Sequence, residues 1–202
     1  MANYFEMSRK ELAAEKAKLE ESYKEFQDMG LKLNMARGKP GPHQMDLAMG
    51  LLQMTDYTTD AGTDARNYGD LEGLHEAREL FADVMGVKPE EVFVGGNSSL
   101  QLMYNLISMG YTFGFPESPC PWSQVPNRKF LCPVPGYDRH FAITEEFGFE
   151  LISVPMSPTG PDMDMIEKLV AEDDTIKGIW CVPQYSNPDG YTYSDETIER
   201  FA

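Results

Sequence analysis

Positive charge is scarce in this sequence. Its 202 residues hold 17 Lys and Arg against 33 Asp and Glu, a formal net charge of -16. A nucleic-acid partner is therefore not expected, because neutralising phosphates takes a basic surface. An anionic small ligand stays open, provided that its positive contacts are local. Cysteine is rare too: Cys120, Cys132 and Cys181 are odd in number and far apart. That excludes a disulfide framework, and the spacing offers no Cys-x-x-Cys pair for a metal. His43, His75 and His140 share no ligand spacing either. Free thiols fit a reducing, cytoplasmic setting. Apolar runs are short and interrupted, so no membrane span is expected. The charged first residues carry no signal-peptide pattern. What remains is an ordinary globular composition, 42% hydrophobic and 25% charged, with no repeat and no low-complexity segment.

The most informative stretch is 92–108. Val92, Phe93 and Val94 read as the end of a buried strand. Gly95, Gly96, Asn97, Ser98 and Ser99 follow, and then a helical pattern with Leu100, Met103, Tyr104 and Ile107 on one side. Gly110 falls where a left-handed helix end would need it. Small polar residues here have two readings. They cap the helix, or the free N–H groups and the positive helix end hold a phosphate.

The remainder reads as strands alternating with helices. Ser8 and Glu11 form a capping box for a helix that Gly30 ends, with Leu12, Leu19, Tyr23 and Phe26 on one face. Residues 31–36 read as extended and lead into a loop with Arg37, Gly38 and Lys39. A short helix is expected over 46–54. Asp70 is expected to cap a helix with Leu71, Leu74, Ala77 and Phe81 facing inward and Gly86 at its end. Residues 115–127 form a proline-dense loop with Trp122. Strands are expected over 129–134, 149–154 and 177–182. Helices are expected over 138–147, with Gly148 as its stop, and from Asp162 or Asp164 onward. Such alternation argues for an α/β fold with a largely parallel, buried sheet. Ligands in such sheets gather at the carboxyl ends of strands. Three such ends carry polar chemistry: Gly95 to Ser99, Pro135-Gly-Tyr-Asp-Arg-His140, and Pro183-Gln-Tyr-Ser-Asn-Pro-Asp-Gly190. Each alone reads as a turn, a core aromatic or a helix histidine; their joint placement favours a site.

In that order the segments resemble the class I/II, fold-type I aminotransferases, enzymes of pyridoxal 5′-phosphate. Tyr68-Gly-x-x-x-Gly-Leu-x-x-Ala-Arg is similar to the family's Tyr-x-x-x-x-Gly-x-x-x-Leu-Arg segment, with Ala77 at the usual Leu. Gly96-Asn-Ser-Ser99 resembles its phosphate loop, Pro135-Gly-Tyr137 with His140 its ring-stacking segment, and Asn187-Pro-Asp-Gly190 its Asn-Pro-x-Gly motif. Asn34-Met-Ala-Arg-Gly-Lys-Pro40 is similar to a bacterial aspartate aminotransferase-like subgroup.

The resemblance implies a three-layer αβα large domain with a mostly parallel sheet. Residues 1–55 would be the N-terminal helix and arm with part of the small domain, and 56–202 the first half of the large domain. It implies that Gly96, Asn97, Ser98 and Ser99 grip the cofactor phosphate and that Tyr68 reaches the phosphate of a neighbouring subunit, making a homodimer. Tyr137 would stack on the pyridine ring, and Asn187 would donate to the ring phenolate. His140 would orient the carboxylate paired with the pyridinium nitrogen. Gly38 would lie in the substrate-facing loop, and Arg37 or Lys39 is expected to lend it positive charge for a substrate carboxylate. The implied activity is amino-group transfer between an L-amino acid, of aspartate type, and a 2-oxo acid. The alternatives are a lyase or decarboxylase on the same cofactor, a regulator domain of aminotransferase fold, or a non-catalytic fragment. The family's Schiff-base lysine, pyridinium-binding Asp and carboxylate-clamping Arg all follow the Asn-Pro-x-Gly motif. No lysine follows Asn187. The 202 residues are therefore expected to be the N-terminal part of a longer enzyme and inactive alone.

Overall fold

A computed structural model describes residues 4–34 and 38–202. The chain divides into two compact units, the first ending at Thr58 and the second starting at Thr59.

The first unit is dominated by one long helix, α1 (Arg9–Asp28). Its start is the capping box expected: Glu11 N–H donates to Ser8 Oγ at 3.3 Å and Ser8 N–H to Glu11 Oε2 at 2.8 Å. Gly30 follows it with φ +60°, the left-handed region that a side chain opposes. Leu12, Leu19, Tyr23 and Phe26 are exposed. The helix expected over 46–54 is displaced. A short helix, α2 (Pro42–Asp46), forms instead, and Met49–Gln53 makes a 3-10 turn. Pro42 is the reason for the earlier start, since its fixed φ suits the first helical position.

The second unit begins with α3 (His75–Met85), closed by Gly86 at φ +68°. Asp70 is not its cap. Leu74 holds that position without a side-chain hydrogen bond, and Leu71 points outward at 87% exposure. The turn that delays the helix is closed by Gly73 N–H donating to Asp70 O, with Gly73 at φ +97°. Residues 92–94 are also a correction. They pair with no strand among the described residues; Val94 N–H donates to Glu72 O at 2.8 Å. Val92 is buried but Phe93 is 66% exposed, so the run is not sheathed on both sides as a central strand would be.

Helix α4 (Ser99–Thr112) runs two residues past Gly110. Gly110 is therefore not a helix end but a contact. A Cβ there would lie 2.7 Å from the Trp122 ring, so glycine is what lets the proline loop press its tryptophan onto the helix. The rest alternates strand with helix: β1 (Lys129–Val134), α5 (Asp138–Glu146), β2 (Glu150–Ser157), β3 (Gly160–Pro161), α6 (Met163–Glu172), β4 (Ile176–Ile179) and α7 (Asp195–Phe201), with β4 stopping short of the expected 182 and the two-residue β3 not foreseen. The sheet order is β3-β2-β1-β4. Strand β1 is parallel to both β2 and β4, and among the described residues only the two-residue β3 is antiparallel.

Period-two alternation explains the layers. Phe130 on β1 joins Ile107, Trp122 and Phe149 on the face covered by α4 and α5. Leu131, one residue on, joins Val154, Met163 and Ile166 on the face covered by α6. Successive strand residues point to opposite faces, so β1, buried on both, must be apolar throughout; its inner four residues are all buried. At the amino ends of β1 and β4, Lys129 Nζ donates to Asp173 Oδ2 at 2.7 Å. That bond, with two more from Thr175, holds the Asp173 carboxyl down at about 2.

Candidate functional site

The carboxyl ends of β1 and β4 lie side by side because the two strands are parallel neighbours. The chain leaves β1 through a cis Val134–Pro135 peptide. Gly136 follows, where a Cβ would stand 2.3 Å from Pro133 O; only glycine lets the chain fold back so tightly into α5. Tyr137 is the residue before α5 and His140 lies in its first turn. Their rings meet edge to face at 5.0 Å. From β4 the chain enters the loop that holds Asn187. The loop is closed on itself: Ser186 N–H donates to Tyr191 O at 2.9 Å, and Tyr191 N–H to Ser186 Oγ at 3.1 Å. Tyr185 takes a left-handed φ of +52° just before it.

Tyr137, His140 and Asn187, which span 50 residues of sequence, line one cavity together with Trp180 and Tyr193. Its volume is about 20 Å3, room for a water molecule. A ring-sized ligand would therefore lie outside it, against the half-exposed Tyr137 and the exposed Asn187. His140 is only 7% exposed. Burial lowers its imidazole pKa, which favours the neutral ring. Among the described residues its side chain makes no hydrogen bond, and neither does the Asn187 amide. Both are free to meet a ligand or another group.

The anion turn stands apart from this cavity. Gly95 to Ser99 are all exposed, and space is open where a Cβ on Gly96 would lie. Ser98 is the helix cap, its Oγ accepting from Gln101 N–H at 3.4 Å. A hydroxyl that accepts still has a proton to donate. The first-turn N–H groups have no helical acceptor. The turn is thus a helix cap with donors left over. Helix α5 connects it to the cavity: the cap Ser98 and Gln101 of α4 share a 480 Å3 groove with Arg139 and Glu146 on α5.

Two site residues lie outside this assembly. Tyr68 is fully exposed, with its backbone N–H on Asn67 Oδ1, and it touches neither the cavity nor the groove. Gly38 is exposed with open space around it, in the first unit. Arg37 falls outside the described residues. The motif arginine has a job that sequence reading left unassigned. Arg78 donates from Nε and Nη2 to Pro89 O, at 3.0 and 2.8 Å, and from Nε to Val92 O. It fastens α3 to the segment that leads into the anion turn. Trp180 and Thr144 are likewise new. Trp180 is one apolar residue in an apolar run, and nothing in such a run marks an indole N–H that needs an acceptor.

Burial pushes the thiols up, Cys132 to about 12 and Cys181 to about 11, so both are unreactive thiols at neutral pH. Among the described residues no group of His, Cys, Asp and Glu could hold a metal ion, and no helix is long and apolar enough to cross a membrane.

The sequence profile of the aspartate amino-transferase family matches residues 7–202. An aspartate aminotransferase of Corynebacterium glutamicum is 46% identical over 187 residues, which are 91% of this chain and 43% of that protein. A Mycolicibacterium smegmatis protein named as an aminotransferase is 50% identical over 199 residues, 96% of this chain and 46% of its own. The solved structure of an aspartate transaminase from Corynebacterium glutamicum superposes with a TM-score of 0.85 at 44% identity, covering 96% of this chain and 46% of that one. The chain thus spans a little under half the length of these relatives.

Proposed function

Because the chain belongs to the aspartate amino-transferase family, we infer that the whole protein transfers an amino group between an L-amino acid of aspartate type and a 2-oxo acid, using pyridoxal 5′-phosphate. The fold agrees with the family's, as part of a fold-type I large domain in three αβα layers. The observation that carries the reading is the convergence of Tyr137, His140 and Asn187 on one cavity at the ends of two parallel strands. An aspartate-type substrate is supported by the name of the Corynebacterium glutamicum relative.

The donor set fits the cofactor. Open N–H groups at the start of a 14-residue helix suit a phosphate. An exposed amide and a half-exposed aromatic face suit a polar heteroaromatic ring. A nine-tenths-buried imidazole with no partner among the described residues suits a carboxylate that must be held in place. When bound, pyridoxal phosphate supplies an electron sink for the carbanion left when an amino acid loses its α-proton.

The residues present divide that work. Asn97, Ser98 and Ser99 would bind the phosphate through backbone and hydroxyl donors, with Gly96 leaving the approach clear. Tyr137 would lie against the ring and exclude water from one face. Asn187 would donate its amide N–H to the ring phenolate, favouring the ionised oxygen. Neutral His140 would donate to the carboxylate that pairs with the ring nitrogen and fix its orientation. Tyr68, exposed as it is, would reach across to the phosphate of a second subunit in a homodimer. Gly38 and Arg37 would stand at the substrate carboxylate. Residues 1–55 would form the arm and part of the small domain, and 56–202 the first half of the large domain. The lysine and the ring-pairing carboxylate are assigned to no residue among these 202, which would be inactive by themselves.

The test uses the whole protein. Titration with pyridoxal phosphate is expected to give a near-visible absorbance band that borohydride abolishes, and aspartate is expected to be consumed when a 2-oxo acid is supplied. Asn187→Ala should weaken cofactor binding and shift that band. A protein that binds no pyridoxal phosphate would overturn the cofactor assignment; one that binds it but transfers no amino group would overturn the reaction.

A further inference from the structure

His140 has an unusual mount. It is buried, yet no hydrogen bond among the described residues fixes its ring. Aromatic contacts surround it instead: Tyr137 meets it edge-on at 5.0 Å, and Trp180 lies at 5.2 Å with the planes 30° apart. What fixes Trp180 is visible. Its backbone N–H donates to Leu131 O at 3.1 Å, tying it to β1. Its indole Nε1–H donates to Thr144 Oγ1 at 3.1 Å. Thr144 is wholly buried, and its own hydroxyl donates to Phe141 O at 3.0 Å.

Thr144 is one helical turn beyond His140, so the two side chains share a face of α5. The indole therefore spans both. Its N–H is bonded to one residue of that face while its plane backs the other. A helix can rotate about its axis against a purely apolar surface at little cost, because apolar contacts are non-directional. A hydrogen bond with a single acceptor removes that freedom.

We propose that Trp180 is a positioning residue for the candidate site: through its hydrogen bond to Thr144 it sets the rotation of α5 and the plane of the His140 imidazole, and so the direction in which His140 meets the carboxylate of the site. This rests on the cofactor reading above for its consequence, but the mount itself is independent of it.

The test uses two near-isosteric variants and their combination in the whole protein. Trp180→Phe keeps an aromatic plane without the N–H; Thr144→Val keeps the shape without the acceptor. His140 is followed by its imidazole NMR signals without cofactor, assigned by their loss in His140→Asn. Binding is followed by titration with pyridoxal phosphate. Both variants should move the His140 signals in the same sense, and each should raise the cofactor dissociation constant by about five- to tenfold, the worth of one hydrogen bond. The double variant should do no more than the stronger single one, because one bond is lost in all three. Unmoved His140 signals in Trp180→Phe with native-like unfolding would overturn the proposal, as would additive effects in the double variant. If the natural protein binds no pyridoxal phosphate, the cofactor reading fails, while the His140 signals still decide the mount.

Discussion

The two ends of the candidate site are built on opposite plans. The ring end is packed. His140 and Thr144 are buried, Trp180 is bonded at both its backbone and its indole, and the whole stands on Phe130 and the parallel strands. The proposed phosphate end is open. Gly95 to Ser99 are exposed, no strand leads into them among the described residues, and one serine cap with a 3.4 Å bond starts the helix. Under the proposed function the difference follows from what each end would meet. A ring must be held in one plane, and only rigid neighbours hold a plane. A phosphate is nearly spherical in its demands and needs donors, which a helix start supplies without precise side chains.

That contrast can be broken most forcefully at its foundation. Phe130→Ala, which empties the centre of the ring-end core, should cost about 3–5 kcal/mol of unfolding free energy, measured by denaturant titration of the whole protein. A loss no larger than that of a helix-cap variant would mean that the ring end is not the rigid one. Thr144→Val comes next. It leaves a largely buried indole N–H without its acceptor and should cost about 1–3 kcal/mol. At the open end, Ser98→Ala removes only the cap, and a loss of about 0.5–2 kcal/mol is expected; the sharper sign would be phosphate affinity falling while His140 signals stay unmoved.

The smallest effect is expected at the amino ends of β1 and β4, at the ion pair between Lys129 and Asp173. The Asp173 carboxyl lies below its ordinary 3.8, at about 2, chiefly through the Lys129 bond. A depressed carboxylate stabilises the fold above its ordinary value, and that contribution fades as pH falls toward 2. The melting temperature of the natural protein should therefore exceed that of Asp173→Asn at neutral pH, and the gap should close between about pH 4 and pH 2. A gap that persists at the acid end would show that packing, not charge, accounts for it.

The same division separates what the sequence announced from what it hid. Elements governed by nearest neighbours in the chain were readable. The Ser8 and Glu11 box, the strand at 129–134 and the helix ending before Gly148 depend on local residue types, and all formed as expected. Errors came where distant chain decides. Gly110 looks like a helix stop to anyone counting residues, but Trp122 packs on it and the helix continues. Val92 to Val94 has the composition of a strand, yet a strand exists only with a partner, and Val94 N–H bonds Glu72 O instead. Asp70 is a good cap by type, but the Gly73 turn moves the helix start beyond its reach. Tyr137, His140 and Asn187, singled out by short ordered motifs, do come together in one cavity. The roles of Arg78 and Trp180 were not legible, because their partners are carbonyl and hydroxyl oxygens that a sequence does not single out.

The indole beside His140 also has an optical consequence. The sequence has only two tryptophans. Trp122 is sealed between Phe115 and Phe149, whereas Trp180 shares its cavity with Tyr137, His140 and Asn187. A Trp122→Phe variant would leave Trp180 as the one tryptophan among these 202 residues, stationed at the candidate site, so that occupancy there becomes a change in indole emission under tryptophan-selective excitation.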